Sequence, residues 1–136
     1  MPTAILIRHA NVDADGTDPE LNAAGQARAQ ELVHVLGDAG IVAILVTSLR
    51  RSQQTAAPLA AQLGIDPTVT DQVEDAVAAI RSRHRGDTVL VVGHTNTVPQ
   101  IVAGLGGPAD VTIAADEFDR MFVLCERRLT RLRYGA

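Results

Sequence analysis

Apolar and polar positions fall in alternating blocks along the chain. Residues 4–7 are a short continuous apolar run, the pattern of a strand buried on both faces. The polar stretch 11–22, rich in Asp, Gly and Pro, reads as a loop. Ala29, Leu32, Val33 and Leu36 then follow the i, i+3, i+4, i+7 spacing of one helix face, closed by Gly37 and Gly40. A second apolar run spans 41–46. It is followed by a second helical stripe, Ala56, Leu59, Ala60 and Leu63, stopped by Gly64 and Pro67. Residues 68–70 make a weak third strand. Val73, Ala76, Val77 and Ile80 form a third stripe, 89–92 a strong strand, and Val98, Ile101, Val102 and Leu105 a fourth stripe closed by Gly106, Gly107 and Pro108. The segment 106–119 is the least regular, a loop over one end of the sheet. Residues 121–125 and 129–134 read as two last strands forming a hairpin.

Strand and helix in alternation predict an α/β fold. It has three layers, α/β/α, with a mostly parallel sheet, helices on both faces and a C-terminal β-hairpin. The length of 136 residues corresponds to about one domain, so 1–136 is read as a single domain. Such a chain can bury roughly 68% of its unfolded surface and needs no staple. No linker, internal repeat or low-complexity tract interrupts it.

Composition narrows the function classes. Hydrophobic residues make up 46% and charged residues 21%, a globular balance. Two Phe, one Tyr and no Trp argue against a stacking platform for single-stranded nucleic acid or sugars. The net charge of -4 argues against a basic face for duplex DNA. No nucleic-acid partner is therefore expected. Nor is a membrane partner expected, since no apolar run approaches the roughly 18 residues of a span. The single cysteine, Cys125, leaves no internal disulfide and no four-cysteine zinc site; it reads as a buried filler. No basic residue precedes the first apolar run, so it is not a secretory signal, and the cytoplasm is the simplest compartment. All 12 basic residues are Arg, which removes Schiff-base and Walker-type lysine chemistry.

In open α/β sheets, ligands gather at the carboxyl ends of the strands. The first strand is followed by Arg8-His9-Ala10-Asn11, the second by Thr47-Ser48-Leu49-Arg50-Arg51, the fourth by Gly93-His94-Thr95-Asn96-Thr97. Helices starting at Thr47 or Ser48 and near Thr95 would present free N–H groups and positive dipole ends. Gly93 would let the backbone turn tightly, and Pro99 suits a first turn. Helix N-termini, arginine forks and two imidazoles together describe a site for a compact dianion, with phosphate as the natural candidate. Neutral imidazole is also a nucleophile toward phosphorus. One histidine can attack while the cations hold the equatorial oxygens.

At these residues the chain resembles the histidine phosphatase superfamily, also called phosphoglycerate-mutase-like. Arg8-His9-Ala10 resembles its Arg-His-Gly motif. Leu21-Asn22-Ala23-Ala24-Gly25 resembles its Leu-Thr-x-x-Gly segment. Ser48-Leu49-Arg50-Arg51-Ser52-Gln53-Gln54-Thr55-Ala56 is similar to its Ser-x-Leu-x-Arg-Ala-x-Gln-Thr-Ala run with one residue fewer before Leu49. Val91-Val92-Gly93-His94 resembles its second-histidine motif. The resemblance implies a phosphohistidine intermediate on His9, phosphate binding by Arg8, Arg51 and His94, and a backbone N–H from Thr95 on phosphate. It implies no cofactor and no metal. His94 would stay protonated or donate a hydrogen bond. Ala10 and Thr95 depart from the family's usual glycines.

The proton donor is the open position. Asp71 and Glu74 lie where many members carry an acid, but their spacing favours an N-cap with its partner three residues on. Asp13 and Asp15 are further possibilities. An alkoxide leaving group needs a proton in the transition state, whereas a phosphorylated imidazole is a better leaving group. A short chain with no inserted cap therefore suits protein phosphohistidine, and the smallest members of this kind are phosphohistidine phosphatases. A small phosphomonoester is the other substrate class. The partner is thus a phosphorylated small molecule or a phosphoprotein. Alternatives are mutase-type phosphotransfer and a non-catalytic phospho-ligand module. A metal site on His9 and His94 is disfavoured by the flanking arginines.

Other residues have plainer readings. His34 and His84 read as solvent-facing, and Arg50 as a helix-surface charge. Asn11 either touches the ligand or turns the loop. Arg127, Arg128, Arg131 and Arg133 read as the outer face of an edge hairpin that discourages strand addition.

Overall fold

The computed structural model describes residues 2–13 and 16–135; Asp15 lies outside them. The elements follow in the order β1 (Thr3–Arg8), α1 (Ala23–Leu36), β2 (Ile41–Val46), α2 (Arg50–Leu63), β3 (Thr68–Val69), α3 (Val73–Arg83), β4 (Thr88–Gly93), α4 (Thr97–Gly104), β5 (Arg120–Cys125) and β6 (Arg128–Arg133). They build a six-stranded sheet in the order β3-β2-β4-β1-β5-β6. The first four of these run parallel, and the β5–β6 hairpin adds antiparallel to β1.

The continuous apolar strands are explained by burial on both faces. Ala4, Leu6, Val89 and Val91 point to one side and meet Ala76 and Ile80 of α3, Val98 and Val102 of α4, and Val111 and Ile113 of the irregular segment. Ile5, Ile7, Leu90 and Val92 point to the other side and meet Leu32 and Leu36 of α1 and Leu59 of α2. Leu6, Ile7, Leu32, Leu59, Ile80 and Leu90 are 0% exposed, each worth roughly 1.5–3 kcal/mol of burial. The strands that carry His9 and His94 are thus the two most enclosed in the sheet.

Helix boundaries differ from expectation where side chains compete for the caps. α2 begins at Arg50 with Leu49 at the N-cap, not at Thr47 or Ser48, and α4 begins at Thr97 after Asn96. Gln72, not Asp71, occupies the N-cap of α3, because the Asp71 carboxylate is engaged elsewhere. Asn22 does cap α1, its side chain accepting the Gly25 N–H at 2.9 Å. The loop 11–22 contains one antiparallel bridge, Val12 to Leu21.

Three surface readings change. Cys125 is exposed at the end of β5 and accepts a long hydrogen bond from Thr3 Oγ1 at 3.6 Å, since the strand leaves the core there. His34 is exposed, but His84 is half-buried, with Nδ1 3.1 Å from Asp87 Oδ2. Arg131 and Arg133 are not bare edge charges. They reach Asp110, Glu117 and Asp119 and fasten the irregular segment to the hairpin. Arg127 sits in the turn rather than on the strand face.

Candidate active site

The site begins with strand register. β1 and β4 pair in parallel with Arg8 opposite Gly93, and the His9 N–H continues the ladder onto the Gly93 carbonyl at 2.9 Å. The next residue on each strand is a histidine. Their ring centroids are 5.3 Å apart, tilted by 55°. From here the chain leaves β1 toward α1 on one face and β4 toward α4 on the other, which opens the crevice expected where connections diverge.

His9 is 4% exposed. Its Nδ1 lies 2.8 Å from the Ala10 carbonyl. A carbonyl only accepts, so the bond places the ring proton on Nδ1 and leaves the Nε2 lone pair free. Burial, more than the neighbouring Arg8, His94 and Arg51 charges, pushes His9 down to about 4 against the opposing pull of that carbonyl. The ring is therefore neutral near pH 7. Its loop is clamped from α2. The Ala10 N–H donates to Thr55 Oγ1 at 2.8 Å, Thr55 donates to the Arg51 carbonyl at 2.7 Å, and Gln54 Oε1 takes the Leu21 N–H at 2.9 Å. These bonds give a physical reason for the Gln-Thr-Ala run. Gly25 is needed because a Cβ there would lie 2.1 Å from the Asn11 carbonyl oxygen. Asn11 itself accepts from Arg28 Nε at 2.9 Å, so it turns the loop.

Arg8 is held by the irregular segment. Its Nη1 donates to the carbonyls of Ala115 at 2.8 Å and Glu117 at 2.9 Å, and its Cζ lies 3.9 Å from the Phe118 ring centroid. Phe118 also stands 5.9 Å from the His9 ring. Arg8 Nε is buried with no partner among the described residues. Burial and the nearby Arg51 lower the Arg8 pKa, with Asp116 opposing. Arg51 is half-buried and acts electrostatically on Arg8, His9 and His94. Arg50 turns the other way, to Asp18 and Glu20.

His94 Nε2 lies 3.0 Å from Thr47 Oγ1, and its Nδ1 is buried without a partner among the described residues. Burial, then Arg51 and Arg8, push it down to about 4. The ring is therefore neutral near pH 7. Ser52 Oγ joins the ends of β2 and β4, accepting the Thr47 N–H and donating to the Val92 carbonyl, both at 2.9 Å. Gly93 does not take a left-handed turn. A Cβ there would lie 2.8 Å from Thr97 Oγ1, which accepts the His94 N–H at 2.9 Å. The glycine serves close approach, not backbone freedom.

The α2 N-terminus is already engaged. The Arg50 N–H donates to Asp18 Oδ1 at 2.9 Å and the Ser48 N–H to Asp71 Oδ1 at 2.7 Å. No side chain caps α4, and Thr95 sits in the turn just before it. Asp71 raises the His94 pKa and so belongs to the rim on that side. Glu74 is exposed in the first turn of α3, away from this network. Asp13 accepts from Asn22 Nδ2.

Comparison with known proteins now decides the family. The family model described as histidine phosphatase superfamily, branch 1, matches residues 4–75, more than half of the 136. The chain belongs to the histidine phosphatase superfamily. The matched stretch includes Arg8, His9 and Arg51, while His94 lies beyond it and enters through the β1–β4 register. Phosphatases are among the similar solved structures. One is the protein histidine phosphatase SixA complexed with tungstate, at 17% identity and TM-score 0.76, covering 96% of each chain. Another is a mycobacterial glucosyl-3-phosphoglycerate phosphatase with inorganic phosphate, at 16% identity and TM-score 0.75, covering 98% of this chain and 95% of that one. A third is the alpha-ribazole phosphatase from Shigella flexneri, at 16% identity and TM-score 0.73, covering 98% and 96%. No curated protein matches the sequence. At these identities the likeness shows the shared histidine phosphatase fold.

Sequence reasoning reached Arg8, His9, Arg51 and His94, which the structure brings together. It missed Thr47, Phe118 and Asp116. Thr47 was legible only as a strand-end residue and possible helix start, and the other two lie in a segment without periodicity. Among the described residues, no group of three or more His, Cys, Asp and Glu could hold a metal ion. No helix there is long and apolar enough to cross a membrane.

Proposed function

We propose that this chain is a phosphatase that works through a covalent phosphohistidine on His9. The observation that carries the reading is the 2.8 Å contact of His9 Nδ1 with the Ala10 carbonyl. It leaves Nε2 as a neutral nucleophile beside the Arg8 and Arg51 guanidiniums. The His9 Nε2–P bond forms as the bond from phosphorus to the leaving group breaks. Arg8, Arg51, His94 and the Thr95 N–H bind the phosphoryl oxygens and stabilise their charge. Water then attacks phosphorus, the P–Nε2 bond breaks, and both water protons leave on dihydrogen phosphate. His9 returns neutral with its proton on Nδ1.

We favour a phosphohistidine side chain of a protein as the substrate. A substrate imidazole protonated on its second nitrogen leaves as a neutral ring and takes no proton from the enzyme. This agrees with α3 being the one helix between β3 and β4 among the described residues, with no inserted cap. It also agrees with Asp71, the carboxylate on the His94 side, being occupied by the Ser48 N–H. A small phosphomonoester is the second reading, favoured by the electrostatic contact of Asp71 with His94, and would use Asp71 as general acid. Retention of the phosphoryl group for mutase-type transfer fits less well, because it requires a site closed against water.

The test is intact mass after brief exposure to phosphoramidate and a rapid quench, with His9→Ala alongside. One phosphoryl group gained by the wild type alone, acid-labile and base-stable, is the expected result. No adduct and no released phosphate would replace catalysis by phospho-ligand binding.

A further inference from the structure

At the other end of the sheet lies a cleft of about 450 Å³ that the chemistry of His9 does not use. Ala4 is in its wall, five residues before His9 on the same strand, or about 16 Å at the usual rise. Ala4, Leu105 and Leu124 form an apolar floor, and Arg81, Arg85 and Arg127 stand around it with one carboxylate, Glu126. Three cations against one anion leave a surplus of two positive charges, in a chain whose net charge is -4.

The arginines are not equally committed. Arg81 Nη2 donates to the Gly104 carbonyl at 2.6 Å and so closes the end of α4. Among the described residues, the Arg85 and Arg127 guanidiniums make no ion pair or hydrogen bond. Arg127 is also held against local preference. The two residues between β5 and β6, Glu126 and Arg127, have φ of 52° and 70°. A two-residue hairpin turn of that form favours Asn-Gly, and bulky side chains there are strained. The strain places the Arg127 stem across Gly106, where a Cβ would lie 3.3 Å from Arg127 Cγ. Gly106, at φ +92°, leaves that room. A local rule broken at both turn positions, with an unpaired guanidinium delivered into a cleft, is the signature of a binding position.

We propose that this cleft is a second site, separate from the histidine pair, that binds a small organic anion. The ligand carries a phosphate or carboxylate head on an apolar body. Arg85 and Arg127 take the head, with Arg81 behind them. The apolar part lies on Ala4, Leu105 and Leu124. The volume falls within the roughly 300–1,000 Å³ of small-molecule pockets. The inference does not depend on catalysis at His9.

Phenylphosphonate, which is not hydrolysed, is the probe. It is titrated into ¹⁵N-labelled protein and followed by amide shifts. Two separate saturable sets are expected, one at Gly93, His94 and Thr95 and one at Ala4, Gly106 and Leu124. Arg85→Ala and Arg127→Gly should each weaken the second set by about tenfold or more and leave the midpoint of the first unchanged. Arg127→Gly also relieves the left-handed turn and should melt no lower than wild type, so lost binding is not lost folding. Absence of saturable shifts at Ala4, Gly106 and Leu124 would overturn the proposal. So would an unchanged midpoint in both variants.

Discussion

The Thr55 hydroxyl accepts the N–H of Ala10 at 2.8 Å, with both groups buried. Because the same hydroxyl donates to the Arg51 carbonyl, it fixes the residue after His9 to the turn of α2 that carries Arg51. Thr55→Val keeps the shape but leaves the Ala10 N–H unsatisfied. It should cost about 1–3 kcal/mol and lower turnover as well. Thr55→Ser should recover most of both. Urea unfolding and phosphoramidate hydrolysis on the same samples check this.

Burial holds His9 and His94 down at about 4, below the unfolded value of about 6.5. Between these two values the unfolded chain binds more protons than the folded one. Stability is therefore full above about pH 6.5 and falls as the pH drops toward 4. The acid limb of kcat/KM, which reports neutral His9, should lie near 4 rather than near 6.5. Imidazole Cε1–H titration by NMR gives both midpoints directly. Arg51→Ala should move the His94 midpoint upward, since Arg51 is its largest cause after burial. Melting temperature against pH checks the stability half.

Arg50 and Arg51 are neighbours with opposite consequences. Arg51→Ala removes a cation from the phosphoryl site and should lower kcat/KM by roughly 100- to 1,000-fold. The Arg50 side chain is 57% exposed in its pairs with Asp18 and Glu20. Arg50→Ala should change stability by no more than about 1 kcal/mol and leave turnover close to wild type. Steady-state kinetics on the two variants would reveal a swapped assignment at once.

Gly25→Ala tests the packing behind the loop that follows His9. The new methyl would lie 2.1 Å from the Asn11 carbonyl oxygen, so α1 or the loop after His9 must move. A loss of about 1–3 kcal/mol is expected, with reduced turnover although no site residue has changed. Thermal melts and kinetics give the answer.

Asp71→Asn separates the two substrate classes. If phosphohistidine is the substrate, phosphoramidate turnover should fall by less than about tenfold. Loss of a general acid would cost roughly 100- to 10,000-fold. A drop of that size on alkyl phosphates, with real wild-type activity on them, would favour the monoester reading.

The two central strands, β1 and β4, were legible because each is buried on both faces and therefore written as an unbroken apolar run. Residues 41–46 needed no correction. Arg8, His9 and His94 were legible because they follow such runs closely, and Arg51 because its motif opens the helix after residues 41–46. Helix starts were less so. Asp71 and Asp18 give their carboxylates to Ser48 and Arg50 amides 23 and 32 residues away, and spacing cannot reveal a cap supplied from so far off. Residues 114–118 were hidden for a similar reason. Ala115 and Glu117 act on Arg8 through backbone carbonyls, which any residue type can offer.

β1 is an inner strand only because β5 covers its far side. As the chain is synthesised, the partner on one side follows at residues 88–93 and the one on the other at 120–125. Until the latter emerges, the strand leading to His9 is an open edge, able to pair with a neighbouring chain. Closure over such sequence distances is slow. The strand that leads to His9 is thus the exposed flank of every nascent copy, and overproduction should put this protein at risk of aggregation there before it harms the finished fold.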